Sequence, residues 1–143
     1  MAELSAHRAY LEGEWRAARA APLSLRRAML VAMLIDAFVD RQFAADPSAD
    51  DILAYRAARA AAAPMLGVVL QICAQADGPK MTLEAVTVPL EAYASLSVED
   101  FMVSLYNDHS VQRVVIAWPD GRRALAHDVL EEAMAALEGD GHA

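Results

Sequence analysis

PMLGVVLQICAQADGPKMTLEAVTV, residues 64–88, is the stretch on whose reading the fold turns. Leu66, Val68, Leu70 and Ile72 alternate with Gly67, Val69, Gln71 and Cys73, which is the period of a strand. Asp77-Gly78 then supplies a hairpin signal, and Met81 to Val88 is a second β-favouring run. On this reading the stretch is a hairpin. A helix continued beyond a proline kink at Pro64 is the competing reading.

Upstream of Pro64 the pattern is helical. Leu4, Leu11, Trp15 and Ala18 recur on one face between Ala2 and Ala21, and Arg8, Glu12 and Arg16 form an i, i+4 charge ladder on another. Pro22 ends that helix. Ser24 caps a second one to about Ala44, whose middle, Ala28 to Val39, is apolar nearly all round except at Asp36. Asp46-Pro47-Ser48 opens a third, with Asp50 and Asp51 opposing the positive end of its dipole and the alanine tract 60–63 at its end.

Downstream, Ser97-Val98-Glu99-Asp100 resembles a capping box and predicts a short helix to about Tyr106. Gln112 to Trp118 reads as a strand, and Trp118-Pro119-Asp120-Gly121 as a type I turn. In the last helix Ala126, Val129, Leu130, Ala133, Met134 and Leu137 form one stripe, with Asp128, Glu131, Glu132 and Glu138 facing away and Gly139 as the stop. The predicted class is α+β: three N-terminal helices, then a small, mostly antiparallel sheet with two further helices. It is expected to be one domain over 1–143, helical over about 2–63, mixed over about 65–138, with a frayed tail at 139–143.

Composition bounds the function. Of 143 residues 57% are apolar, which excludes disorder, although 32 alanines supply much of that figure. A net charge of −8 argues against a nucleic-acid or anionic-membrane binder. The charge is uneven: residues 1–79 carry eight basic and nine acidic side chains, residues 80–143 four and eleven. Eleven arginines against one lysine suggest a GC-rich coding genome of bacterial type. Cys73 is the only cysteine, so an intrachain disulfide is excluded, and it reads as an inert buried thiol.

Residues 1–8 lack the apolar core of a secretory signal. Arg26 and Arg27 before an apolar run resemble a twin-arginine signal, but Asp36 and Asp40 interrupt that run. It is also short of the ~20 residues a membrane span needs. A cytoplasmic protein is expected.

Several groupings invite a chemical reading. Asn107, Asp108, His109, Ser110, Gln112 and Arg113 bring together a base, a carboxylate and a guanidinium, with Asp108, His109 and Arg113 the first candidates for a site. The plainer reading is a polar loop rich in turn formers. Ser104, Asp108 and His109 have the residue types of a triad without the glycine-flanked elbow. Asp36 and Asp40, at i, i+4, could act as an acid–base or cation pair, but a salt bridge to Arg26, Arg27, Arg56 or Arg59 explains them more simply.

His127, near Asp128 and Glu131, reads as a surface histidine. A metal site from His7, His109 and His127 has no ligand-spacing motif behind it, so neither metal nor cofactor is expected. Arg8, Arg16, Arg19, Arg26 and Arg27 make a basic cluster that Glu12 and Glu14 dilute.

What remains is apolar excess in the second and third helices. It predicts a non-catalytic interaction or assembly module, a homodimer or a binder of another protein's helix. The alternative is a small-molecule binding protein or enzyme with a pocket near Asp108, His109 and Arg113, open to a small apolar ligand.

Overall fold

Four helices precede the sheet in the computed structural model, which describes residues 2–74, 77–88, 95–106 and 108–139. Helix α1 (Ala2–Arg19) buries Leu11, Trp15 and Ala18, the stripe its sequence predicts. Helix α2 (Leu25–Ala45) starts where expected, with the Ser24 hydroxyl accepting from the Arg27 amide at 3.1 Å. Its apolar circumference is larger than a surface helix needs, and the chain covers most of it, leaving Met33 57% exposed. Ala28, Val31, Ala32, Ile35, Phe38 and Val39 are buried, and α2 packs against α1, α3, α4 and α6. Packing within the chain thus shields most of this helix, while Met33 of α2 and Leu53 further along stay exposed.

Helix α3 (Ile52–Ala62) begins later than Asp46. The Asp46 carboxylate instead accepts from the Ser48 amide (2.9 Å) and hydroxyl (2.7 Å), a local turn that competes with helix. The cap is Asp51, which accepts from the Leu53 and Ala54 amides at 3.0 and 3.3 Å.

Residues 64–73 are a helix, α4 (Pro64–Cys73), so the hairpin reading of 66–88 fails and the continued-helix alternative holds. Ala63, extended at φ −137° as a residue before proline tends to be, ends α3 and caps α4 together. Pro64 then occupies the first helical turn, where its missing N–H costs nothing. The alternation misled because α4 is buried on most sides. Leu66, Gly67, Val69, Leu70 and Ile72 are all inside, and a fully buried run carries no period that separates helix from strand.

Strand β1 (Lys80–Thr87) pairs with β2 (Ser110–Ala117), which is reached through helix α5 (Val98–Tyr106). The antiparallel register sets Met81 opposite Ile116 and Leu83 opposite Val114. Opposed residues share a face, so these pairs define the side turned to the helices. Val114 and Ile116 are buried there. Strand β3 (Arg123–Leu125), not anticipated from sequence, returns along β2 after a turn in which the Gly121 amide donates to the Trp118 carbonyl at 3.0 Å. Gly121 has φ +97°, a conformation that favours glycine. Sheet order is β1-β2-β3.

Helix α6 (Ala126–Gly139) buries Ala126, Val129, Leu130, Ala133 and Leu137, joining α1, α2, α4 and β2 in one apolar cluster. The class is α+β, as predicted. Of the expected frayed tail, residues 140–143 lie outside the described part. Among the described residues, no helix is long and apolar enough to cross a membrane.

Candidate functional site

Asp108 and His109 occupy the turn from α5 into β2, both in the left-handed region at φ 52° and 61°. Two consecutive non-glycine residues there are uncommon. Backbone hydrogen bonds hold them. The His109 amide donates to the Ser104 carbonyl (2.8 Å), closing the end of α5, and its carbonyl accepts from the Val88 amide (2.7 Å), extending the β1–β2 ladder.

Both side chains are exposed. Arg113 is engaged elsewhere. Its Nη2 donates to Asp100 at 2.8 Å and its Nη1 to the Gln112 carbonyl at 2.8 Å, tying α5 to the sheet. Ser104 is wholly buried and donates its hydroxyl to the Phe101 carbonyl at 2.8 Å, a helix-internal bond and not a nucleophile's setting. Asn107 lies outside the described residues.

The remaining groupings resolve structurally. Asp36 and Asp40 share one guanidinium, that of Arg56, whose Nη1 lies 2.7 Å from Asp40 while its Nη2 pairs with Asp36; this joins α2 to α3. Cys73 is half-buried and donates to the Ala32 carbonyl (3.4 Å). Burial, then the nearby Asp36 charge, push its thiol up to about 11, which removes it from nucleophilic chemistry near neutrality. In the arginine cluster, Arg8 stacks over Phe38 and Arg19 over Trp15, at 5.1 and 5.5 Å from the ring centroids. His7, His109 and His127 stand in α1, in the turn and in α6, and no three His, Cys, Asp or Glu among the described residues converge on a metal position.

His127 corrects its sequence reading. It is half-buried, with its ring edge-to-face with Trp15 (centroids 5.8 Å apart, planes at 80°). Burial and then the positive charge of Arg113 lower its pKa below the usual 6.5, against the opposing pull of Asp128. The structure favours the neutral, half-buried ring where the sequence suggested a surface histidine.

Helix α5 is the surface that stands out. Ser97 caps it, the hydroxyl accepting from the Asp100 amide at 3.1 Å. Its inward side is polar, since Ser104 is fully buried and Asp100 is held against Arg113. Val98, Phe101, Met102, Leu105 and Tyr106 recur at i, i+3, i+4, i+7 and i+8, the spacing of an apolar helix stripe. Yet all five are exposed, Val98 by 81% and Tyr106 by 82%. An ordinary surface helix has the opposite arrangement.

Of the thirteen large apolar side chains exposed among the described residues, six belong to this nine-residue helix. Two clefts flank it. One of about 580 Å³ lies between Val103 and the α1–α2 corner at Pro22, Leu23 and Ser24. The other, about 370 Å³, runs along Tyr106, Asp108 and Val111. Sequence reasoning placed α5 but passed over its stripe. The spacing was there to be read, whereas the direction it faces depends on the Arg113 tether, which local sequence does not disclose.

Compared with protein families, with curated proteins and with solved structures, the chain has no significant match in any of the three.

Proposed function

We propose that the chain is a non-catalytic interaction module of bacterial type, working in the cytoplasm and self-associating through the outward stripe of α5. The observation that carries this reading is the inverted amphipathicity of that helix, with Ser104 and Asp100 turned in and Val98, Met102, Leu105 and Tyr106 turned out. Keeping such a stripe in water forgoes the stabilisation of burial, and contiguous apolar surface of this kind marks a protein contact. The excess of acid over base in residues 80–143 disfavours polyanions and anionic lipid as partners. The small-ligand reading has less behind it. Of Asp108, His109 and Arg113, only Asp108 is among the residues lining the nearby cleft, and Arg113 is held by Asp100.

The test is light scattering over a concentration series, comparing the natural chain with the double substitution Met102→Asp, Leu105→Asp. Both residues are solvent-facing, so the fold should survive, as circular dichroism would check. The natural chain should associate, and the variant should stay monomeric at roughly tenfold higher concentration or beyond. Association unchanged in the variant would remove α5 from the contact.

A further inference from the structure

A nine-residue helix is only about 13 Å long, too short to supply by itself the about 800 Å² that each partner of a stable pair contributes. The contact must spread, and the larger cleft shows where. Its walls are Val103 and Glu99 of α5 on one side and Leu23 and Ser24 of the α1–α2 corner on the other. Leu23 is exposed, so the apolar surface continues across the cleft.

The cleft's own charged residues, Glu99 and Asp100, are acidic and stand on α5, while opposite charge follows the corner in sequence. Beyond Ser24, the first turns of α2 carry Arg26 and Arg27, both exposed, with no acidic residue in the first turn. Cations there add to the positive end of the helix dipole instead of opposing it. Along α5 stands exposed Glu99. Among the described residues no salt bridge engages Arg26, Arg27 or Glu99. A surface with basic residues beyond one side of an apolar cleft and acidic residues on the other becomes complementary to itself when turned by a two-fold axis.

We infer that the occupant of this surface is a second copy of the chain, related by a two-fold axis through the cleft, so that Arg26 and Arg27 of each copy face Glu99 of the other while the α5 stripes close over Leu23. This rests on the proposed self-association through α5 and adds its geometry. A foreign helix would have no reason to match both walls. The second copy does so by symmetry, and its carboxylates would offset the positive end of the α2 dipole, to which the local arginines add.

The experiment is a charge exchange read by sedimentation equilibrium on the whole chain. Glu99→Arg alone and Arg26→Glu with Arg27→Glu should each weaken the dimer roughly tenfold. All three changes together should return most of that loss, because the reversed walls again match. Dissociation of the natural chain should also increase with ionic strength, a reading that needs no variant to fold.

If the dimer is abolished by the α5 aspartates but indifferent to charge reversal and salt, the arrangement inferred here falls while self-association through α5 stands. Failure of the triple variant to recover, when both parents are folded and weakened, overturns the pairing of the walls. A chain that stays monomeric at every concentration overturns both readings.

Discussion

At His127, Nε2 is buried with no hydrogen-bond partner among the described residues, while Trp15 presses edge-on against the ring. Protonation would place a second positive charge near Arg113 in a site where burial already disfavours a cation. The consequence for stability has a definite sign. The unfolded chain takes up the proton near pH 6.5 and the folded chain only at lower pH. The unfolded state thus binds more protons in that window, and stability falls as pH drops through it, levelling off below the folded pKa. Urea midpoints measured from pH 8 to pH 5 should show this loss in the natural chain. His127→Phe keeps a ring against Trp15 but cannot titrate, so it should lose less over the same range. Parallel curves for the two chains would show that another group sets the acid limit. None of this is legible locally, since Asp128 and Glu131 lie within a helical turn while the neighbours that matter, Trp15 and Arg113, are distant along the chain.

Among the elements, α4 shows most clearly how packing overrides local pattern. Its sequence alternates as a strand does, yet Ala63-Pro64 is a sound helix start and the run is buried on both of its would-be faces. Gly67 explains how closely α4 lies on α3. A Cβ added there would sit 3.1 Å from the Ala60 Cβ and 3.3 Å from the Ala60 carbonyl oxygen. The alanine tract 60–63, whose small side chains permit close helix approach, meets α4 at this glycine through Ala60. Gly67→Val brings a small gain in helix propensity against overpacking of about 1–3 kcal/mol, and the second effect should win. The expected result is a lower urea midpoint with an unchanged denaturant slope. A midpoint equal to that of the natural chain would mean that α3 can slide away from α4 at little cost. Helices α1 and α6 were legible because each keeps one wet face and so retains its 3.6-residue period, and α2 was marked by its Ser24 cap. Helix α4 has little wet face to read.

For the molecule as a whole, burial is unevenly distributed. The apolar cluster ties α1, α2, α4 and α6 to β2, with Phe38, Ile35, Leu66, Ile116 and Leu130 at its centre. Helix α5 shares none of it. Its links to the rest run through β2, through the Arg113–Asp100 salt bridge and through the backbone bond from His109 to Ser104. Few buried apolar contacts and exposed helical hydrogen bonds mean a low free energy for local opening. In dilute solution the amides of α5 should therefore exchange with deuterium well before those of α2, α4 and α6, which open only with the whole fold.

Self-association changes that order without any new bond inside the monomer, because a second copy binds only the closed helix and stabilises it in proportion to its own concentration. Raising the protein concentration through the dimer range should slow exchange in α5 and in the first turn of α2, leaving the amides of the central cluster unchanged. Equal slowing along the whole chain would point to general stabilisation instead of a contact at α5. Protection of α5 at high dilution that already matches α2 would mean the monomer holds this helix firmly without a partner. The concentration dependence confined to residues 98–106 and the start of α2 is the signature that joins the inverted helix to the assembly, and no reading of local sequence could have supplied it.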